Sequence, residues 1–219
     1  LIVIDDASKD DTFAKTAAFC DGELRRRFER ILITKNSTNR GAHACWNKGM
    51  AVSRGEYISF LNSDDIYAND RIAKLVEAAV EERCEFLFTG VSAVGDDGTG
   101  RHDYSQAHGI KFRAKQLIEC LPCVSWALMH YNVTISTGNF FMSRDVAEKV
   151  GGFKNLKYCH DWDFAVRATF FCEPKFLEQE LYFYRVHEFN SFRSLNSYAE
   201  METEVVLTDH LVRTKIEKP

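Results

Sequence analysis

Residues 54–65 read RGEYISFLNSDD, an apolar stretch that stops abruptly on polar and acidic side chains. The middle of this stretch, 57–61, carries the aromatic and β-branched residues that favour a strand. The start of the chain repeats the arrangement, since the apolar run 1–4 is followed by Asp5-Asp6. Polar residues that directly follow the strands of a parallel sheet lie at its ligand-binding edge. We therefore expect the acids Asp5-Asp6 and Asp64-Asp65 at the same edge of the molecule.

Strand and helix signals alternate on both sides of that stretch. Apolar strand-like runs are separated by segments with helical spacing, which is typical of βαβ units. The predicted strands are 1–4, 31–33, 57–61 and 86–88, and the predicted helices are 13–20, 42–52 and 70–83. One apolar stripe of the last helix is expected to be buried, namely Ile72, Leu75, Val76, Ala79 and Val80. The predicted fold class is α/β, with a mostly parallel sheet flanked by helices.

The pattern is less regular in the second half of the chain. Residues 101–133 mix polar and apolar side chains without a clean period, and we interpret them as a mostly helical excursion. Further strands are predicted at 139–142 and 181–184, and further helices at 145–150, 161–171 and 195–212. No linker-like composition interrupts the chain, so we predict a single domain over 1–219, with halves at 1–94 and 95–219.

The composition excludes several classes of protein. With 45% hydrophobic residues, 13% aromatic residues and only 3 prolines, the 219-residue chain can bury a core and is not disordered. A net charge of −4 argues against a nucleic-acid-binding domain, because phosphate neutralisation needs clustered Lys and Arg. No apolar run approaches the roughly 20 residues that a membrane-spanning helix requires.

The cysteines bear on the cellular compartment. The 7 cysteines are scattered and odd in number, which favours reduced thiols over a disulfide framework. Residues 120–123 form a lone CxxC, and a zinc site there would need two further ligands, for which Cys159-His160 is the candidate pair. Reduced thiols favour a cytoplasmic location, or one at the cytoplasmic face of a membrane.

The two acidic pairs also suggest a bound cation. Clustered carboxylates repel one another unless a cation lies among them, and hard oxygen ligands without His or Cys suit Mg²⁺ or Mn²⁺. Such an ion would in turn favour a phosphate-bearing substrate. The alternative for each pair alone is structural, since Asp64-Asp65 could cap the following helix and Asp5-Asp6 could form an Asx turn. The residues by themselves leave both interpretations open.

Several motifs taken together resemble the family 2 glycosyltransferases of GT-A fold. They follow the order and spacing of that family, and they cover nearly the whole chain. The motifs are IVIDDASKDDT (2–12), NRG (39–41), NKG (47–49), RGEYISFLNSDD (54–65), TGNFFMSR (137–144), VGGF (150–153), HDWDF (160–164) and YRVH (184–187). The resemblance implies a GT-A type, Rossmann-like sheet. It also implies an earlier strand, so that the first strand is expected to be missing here.

The resemblance implies roles for individual residues. Asp161 matches the family's general base, which takes the proton of the acceptor hydroxyl. The implied contacts to the nucleotide of a sugar donor are Asp5, Asp6, Ser8, Arg40, Asn62 and Asp65. The implied metal ligands for Mn²⁺ or Mg²⁺ are Asp64 and His187, and the implied sugar contacts are Gly138, Asn139, His160 and Trp162. The alternatives are a solvated loop for Arg40, a surface histidine for His187 and core packing for Trp162.

Two positions depart from the family pattern. Asn62 stands where the first acid of the Asp-x-Asp motif is usual, so the metal is expected to rest chiefly on Asp64. His160 stands where a Glu commonly precedes the catalytic acid. Because histidine titrates near neutral pH, this change implies a more pH-sensitive activity.

The sequence therefore predicts an inverting glycosyltransferase, hexosyltransferase-like, that moves a sugar from a nucleotide-diphosphate donor, expected to be a UDP-sugar, to an acceptor hydroxyl. The acceptor is a glycan, a lipid or a protein, and no nucleic acid is expected as a partner. One alternative is a non-catalytic sugar- or nucleotide-binding domain of the same fold, which the departures at Asn62 and His160 favour. A second is a nucleotidyltransferase, although no Gly-rich basic loop is visible near the start.

Overall fold

The computed structural model describes residues 1–22, 24–95, 105–186 and 196–216. Within it the chain forms two compact units, Leu1–Arg54 and Gly55–Pro219. The single domain with halves at 1–94 and 95–219 stays a prediction. The earlier strand that the resemblance implies also stays a prediction.

The first unit is a short βαβα segment. Its strands β1 and β2 are parallel, with Ile2 beside Leu32 and Asp5 beside Lys35. The helix between them begins at Thr12, where the backbone N–H donates to the carboxylate of Asp10 at 3.1 Å. The elements are β1 (Ile2–Asp5), α1 (Thr12–Gly22), β2 (Leu32–Lys35) and α2 (Ala42–Val52). This part of the chain confirms the predicted alternation of strands and helices.

The second unit combines a five-stranded sheet with helices. Its strands are β3 (Tyr57–Ser59), β4 (Ile66–Tyr67), β5 (Phe86–Val94), β6 (Phe141–Ser143) and β7 (Lys175–Arg185). Its helices are α3 (Arg71–Glu82), α4 (Ser105–Cys120), α5 (Val124–His130), α6 (Arg144–Val150), α7 (His160–Ala168) and α8 (Ala199–Ile216). The helices α4 and α5 confirm a mostly helical excursion over its described residues. Of the described helices, none is both long enough and apolar enough to cross a membrane.

The sheet of the second unit is mixed rather than wholly parallel. Its strand order is β3-β6-β5-β7-β4. The longest ladder, β5 with β7, is parallel, as is β1 with β2 in the first unit. However, β6 lies antiparallel between β3 and β5, and the short strand β4 pairs antiparallel with β7. The α/β class is therefore confirmed, but β3 and β5 are not the direct neighbours that consecutive βαβ units would give.

Aromatic rings fill the core of the second unit. Phe140 packs against Phe86 with ring centroids 5.0 Å apart, and Phe153 stacks on Phe164 of α7 at 4.4 Å. Phe140 and Phe164 also meet, at 5.8 Å, so that α7 is packed against the segment that leads into β6. Burying rings of this size contributes most of the packing energy available to a small core. These ring contacts consequently hold α7 in place, and with it the first turn of the helix.

The buried face of α3 differs from the predicted stripe. Leu75 and Ala79 are buried as expected, but Ile72, Val76 and Val80 are exposed. The helix instead turns Arg71 into the interior, where the side chain is fully buried. Its guanidinium donates to Thr89 of β5 and fixes the rotation of the helix. The apolar spacing of the sequence could not reveal this. An arginine is almost never buried unless it has partners, and the partner of Arg71 lies on another element, β5.

Candidate functional site

The carboxylate of Asp6, directly after β1, organises the loop that precedes α2. It accepts hydrogen bonds from the backbone N–H of Arg40 (2.9 Å) and of Gly41 (2.7 Å), and from the amide of Asn36 (2.8 Å). Partial burial alone would raise the pKa of Asp6, but these donors favour the charged form and lower it below its ordinary value. Asp6 and Arg40 are thus brought together through the backbone of Arg40, whose side chain is exposed.

Asp5 is the buried member of the first acidic pair. One oxygen, Oδ1, accepts the backbone N–H of Ser8 at 2.7 Å. The other, Oδ2, is buried and has no hydrogen-bond partner among the described residues. Between these residues Ala7 adopts a left-handed backbone with φ of 68°. Asp5 thus keeps one free acceptor beside the strained turn at Ala7. Leaving a buried carboxylate oxygen unpaired costs folding free energy.

Asp65 is buried and is held by the protein on both oxygens. Oδ1 accepts the backbone N–H of Arg185 at 2.8 Å, and Oδ2 accepts the amide of Asn62 at 2.9 Å and the hydroxyl of Tyr182. Burial raises the pKa of Asp65 and the neighbouring charge of Asp64 adds to this, whereas the hydrogen bonds oppose it. The geometry supports a loop-holding role for Asp65 and for Asn62, and nucleotide contacts for them stay a prediction.

Asp64 is placed differently from its neighbour. Its side chain is half-buried, and its backbone carbonyl accepts the guanidinium Nε of Arg185 at 2.7 Å. No group of three or more His, Cys, Asp or Glu in the described part of the chain is arranged to hold a metal ion by itself. Mg²⁺ is usually held by one or two carboxylates together with substrate phosphates and water. A single hard carboxylate at Asp64 fits that mode, whereas His187 lies outside the described residues.

Gly138 is required by the protein itself. A Cβ on Gly138 would approach within 2.8 Å of the ring of Tyr182 and within 3.1 Å of the amide of Asn62. Its carbonyl accepts the hydroxyl of Tyr67 at 2.8 Å. The resemblance implies a sugar contact for Gly138, but the close approach to this glycine in the structure is made by Tyr182.

Asn139 likewise belongs to the interior. Its side chain is fully buried, accepts from Arg71 at 3.0 Å and from the Thr89 N–H at 3.1 Å, and donates to the carbonyls of Thr89 (2.9 Å) and Thr134 (3.1 Å). Every polar atom of the amide is therefore used by the fold. A sugar contact for Asn139 is not supported by this geometry, because no donor or acceptor remains to make it.

Asp161 lies in the first turn of α7, where helix geometry favours a negative charge. It is buried, and its Oδ1 accepts the backbone N–H of Trp162 at 2.7 Å. Burial raises the pKa of Asp161 above its ordinary value. The charge of His160 and the hydrogen bonds from Trp162 and Asn132 oppose that shift only in part. The result is a carboxylate with greater affinity for a proton than an exposed aspartate has.

Asp163, two residues further along α7, has a different environment. It is buried, and its Oδ2 binds the guanidinium of Arg167 at 2.6 Å and 2.8 Å. Its Oδ1 pairs with Lys154 at 2.8 Å. Two cations neutralise this carboxylate, so it is a structural ion pair and offers no free acceptor.

Trp162 and His160 flank the candidate base. Trp162 is buried, and its indole N–H donates to the carbonyl of Leu128 at 2.7 Å. This arrangement is the core-packing alternative for Trp162, and a stacked acceptor sugar is left without support. His160 is half-buried at the start of α7 and acts on Asp161 through its charge. A sugar contact for His160 stays a prediction.

Sequence reasoning missed several residues of the site, although one of them, Arg185, lies in the motif YRVH (184–187). Asn132 hydrogen-bonds Asp161, and its Oδ1 accepts the hydroxyl of Thr134 at 2.6 Å. Tyr182 and Arg185 hold the 62–65 loop from β7. Nothing in the local sequence assigns these residues their roles, because the groups that they hold lie far away along the chain. To find Tyr182 and Arg185, it would have been necessary to know that β7 lies beside the 62–65 loop.

Comparison with known families decides the assignment. The sequence model described as glycosyl transferase family 2 matches residues 1–151, more than half of the chain. The chain belongs to glycosyltransferase family 2. The matched region of this family member includes both acidic pairs, Asp5-Asp6 and Asp64-Asp65, and ends before α7.

Three named relatives match part of the chain. TuaG of Bacillus subtilis, named as a teichuronic acid biosynthesis glycosyltransferase, is 34% identical over 45% of this chain and 37% of its own length. ExoO of Rhizobium meliloti, a succinoglycan biosynthesis protein, is 30% identical over 49% of this chain and 29% of its own. WfaP of Escherichia coli, named as a UDP-Glc:alpha-D-GlcNAc-diphosphoundecaprenol beta-1,3-glucosyltransferase, is 29% identical over 41% and 33%. The chain thus spans only about a third of these relatives.

Solved structures give the fold over a wider region. The crystal structure of TarS 1-349 from S. aureus, in complex with UDP-GlcNAc, superposes with a TM-score of 0.65 at 15% identity. The match covers 96% of this chain and 62% of that one. The predicted GT-A fold is therefore confirmed for this family 2 chain.

Proposed function

We propose that this chain is the catalytic domain of an inverting glycosyltransferase that transfers a sugar from a UDP-sugar to an acceptor hydroxyl. The observation that carries the proposal is Asp161, a buried carboxylate with a raised pKa at the start of α7. Its hydrogen bonds come from uncharged donors, whereas the neighbouring Asp163 is fully engaged by cations. A buried carboxylate with a raised pKa is suited to accept a proton during catalysis.

Asp161 acts as the general base in this reaction. It accepts the proton of the acceptor hydroxyl while that oxygen attacks the anomeric carbon of the donor sugar. The bond from the anomeric carbon to the nucleoside diphosphate breaks on the opposite face, and the configuration inverts. Asn132 and the backbone N–H of Trp162 keep the carboxylate oriented through this step. General-base assistance of this kind is worth about 10²–10⁴-fold in rate.

The departing diphosphate requires positive charge. Asp64 is the residue that we assign to a divalent cation such as Mn²⁺ or Mg²⁺, which neutralises developing negative charge on a diphosphate when bound. The half-exposed carboxylate of Asp64 offers hard oxygen ligands, and Asp65 fixes the backbone beside it from the buried side. Asp64 therefore binds the cation, and Asp65 positions the loop beside it.

We assign recognition of the nucleotide to the residues that follow β1. The unpaired Oδ2 of Asp5 and the strained turn at Ala7 are the features that support this assignment. Asp6 and the backbone of Arg40 shape the loop, and Ser8 fixes Asp5. A uracil base offers a ring N–H and a ribose offers hydroxyl donors, either of which could pair with a free carboxylate oxygen.

The names of the relatives suggest the donor and acceptor classes. The name of WfaP specifies UDP-Glc and a diphosphoundecaprenol-linked sugar, and TarS was crystallised with UDP-GlcNAc. We propose a UDP-hexose donor and a glycan or lipid-linked glycan acceptor for this chain. For a lipid-linked acceptor, the reaction would take place at the cytoplasmic face of a membrane, where nucleotide sugars are available.

A donor screen tests the proposal. The protein is incubated with Mn²⁺, UDP-glucose, UDP-GlcNAc, GDP-mannose or dTDP-glucose, and an acceptor set that includes a lipid-linked sugar diphosphate, and released nucleotide is measured. We expect UDP release that requires both the acceptor and Mn²⁺. Metal-dependent UDP binding without transfer to any acceptor would instead favour the non-catalytic alternative.

A further inference from the structure

The C-terminal helix α8 reaches the segment that leads into the candidate base. Glu202 of α8 is 4% exposed, and its carboxylate accepts three consecutive backbone N–H groups. The distances are 2.7 Å from Lys157, 2.7 Å from Tyr158 and 2.8 Å from Cys159. Successive N–H groups that converge in this way form an anion-binding nest. In this protein the nest is filled by a side chain from a distant part of the same chain.

The nest adjoins Asp161. Its last member, Cys159, is the residue that precedes α7, and Cys159 makes no side-chain cap of its own. His160 and Asp161 follow immediately. The backbone position of the candidate base is therefore set on its N-terminal side by a carboxylate that α8 supplies. Charge-assisted hydrogen bonds of this length are about twice as strong as neutral ones.

A second contact joins α8 to the same helix. Lys154 bridges Asp163 of α7 and Asp209 of α8. Along the chain, Asp161 consequently lies between two contacts with α8. Glu202 binds the backbone of residues 157–159 before it, and the Lys154 bridge connects α8 to Asp163 after it. The family match ends at residue 151, so this helix lies beyond the matched region.

We propose that Glu202 is a positioning residue for the glycosyl-transfer step, acting on Asp161 through the backbone of residues 157–159. The inference rests on the proposed function of Asp161. Misplacing a catalytic group by about 1 Å can cost on the order of 10²-fold in rate. Loss of the three hydrogen bonds should therefore lower kcat while the donor still binds, because none of them is made to a residue that we assign to the nucleotide.

The variant Glu202→Gln tests this role. The glutamine has nearly the same size but carries no charge, and its single carbonyl oxygen cannot serve three N–H groups. We expect kcat to fall about 10- to 100-fold, with the KM for the UDP-sugar changed less than about twofold. Glu204→Gln, the same change at an exposed position on α8, should leave both constants unaltered.

A purely structural role predicts a different result. In that case Glu202→Gln would lower Tm but leave kcat unchanged in protein that is shown by circular dichroism to be folded at the assay temperature, and the proposal would be overturned. If Glu202→Gln does not fold, Glu202→Asp decides, because it keeps the carboxylate charge but shortens the side chain by one methylene, so that the three hydrogen bonds can no longer all be made at their present lengths. We expect kcat to fall at least about threefold with the KM for the UDP-sugar unchanged, and an unchanged kcat would overturn the proposal.

Failure of this inference is distinguishable from failure of the proposed function. If Asp161→Asn abolishes transfer while Glu202→Gln, folded, retains full kcat, only the positioning role is wrong. If Asp161→Asn retains full kcat, the assignment of the base is wrong, and the positioning role is wrong with it.

Discussion

Two regions of the protein each contain a pair of acids, and in both regions the structure treats the two members differently. In the 62–65 loop, Asp65 is buried and held by the protein, whereas Asp64 is half-buried. In the first turn of α7, Asp163 is held by two cations, whereas Asp161 is buried without being neutralised by them. In each region one acid is held by the protein, and the other is the one that we propose takes part in the reaction.

The two regions differ in how the structural acid is held. Asp65 is bound by uncharged donors, namely Asn62, Tyr182 and the N–H of Arg185, and burial raises its pKa. Asp163 is paired with Arg167 and Lys154 instead. The strand-end loop is thus fixed by backbone and neutral side-chain donors, whereas the first turn of α7 is fixed by ion pairs.

The largest effect is expected from Asp161→Asn. The amide keeps the size of the carboxylate but cannot accept the hydroxyl proton, so transfer should fall about 10²–10⁴-fold. Binding of UDP, measured by calorimetry, should persist because Asp161 is not assigned to the nucleotide. Retention of full turnover would remove the distinction between Asp161 and Asp163.

Asp163→Asn should have the opposite profile. Removing this charge leaves Arg167, which is 4% exposed, without its buried partner. The free energy of unfolding should fall by about 3–5 kcal/mol, measured by urea denaturation. Transfer per folded molecule should stay within a few-fold of the wild type. The exposed pair of Asp145 with Lys149 provides the control, since Asp145→Asn should cost no more than about 1 kcal/mol.

The loop pair can be separated in the same way. Asp65→Asn places an amide N–H against the donors of Asn62 and Tyr182, and we expect a loss of about 1–3 kcal/mol in unfolding free energy. Asp64→Asn should cost less unfolding free energy than Asp65→Asn, because Asp64 is half-buried whereas Asp65 is buried, but it should weaken the Mn²⁺-dependent binding of UDP. Calorimetry and thermal unfolding of both variants would show whether the roles are divided as proposed; equal losses in both assays would count against it.

The smallest effect concerns pH. Asp161 must be deprotonated to accept a proton, so kcat should fall as pH decreases through its pKa. Because burial raises that pKa, the fall should occur at a higher pH than for an exposed aspartate, whose ordinary pKa is about 3.9. The profile of kcat against pH with saturating donor measures this. A midpoint at or below pH 4 would contradict the environment described for Asp161.

The sequence predicted where the two acidic regions lie, but not which acid of each pair the protein holds. Apolar runs followed by acids located the ends of β1 and β3, and the motif HDWDF located the start of α7. Which acid of each pair is held by the protein was not accessible, because the deciding partners lie far away along the chain. Tyr182 is 117 residues from Asp65 in sequence.

Gly138 and α3 show the same limit. The resemblance implies a sugar contact for Gly138, yet the hydroxyl of Tyr182 and the amide of Asn62 are what require a glycine there. The apolar spacing of α3 suggested one face, yet the buried side chain of Arg71 selects another. In both cases a polar group in the interior overrides the local pattern, and its partners come from β5 or β7.

The central claim is that Asp161 performs chemistry and Asp163 performs structure, although both are buried in the same turn. A direct test compares UDP release by Asp161→Asn and Asp163→Asn at equal concentrations of folded protein, with the donor, acceptor and Mn²⁺ conditions that support the wild type. The account predicts that Asp163→Asn releases UDP within a few-fold of the wild-type rate, whereas Asp161→Asn is slower by about 100-fold or more. Equal rates for the two variants would contradict it.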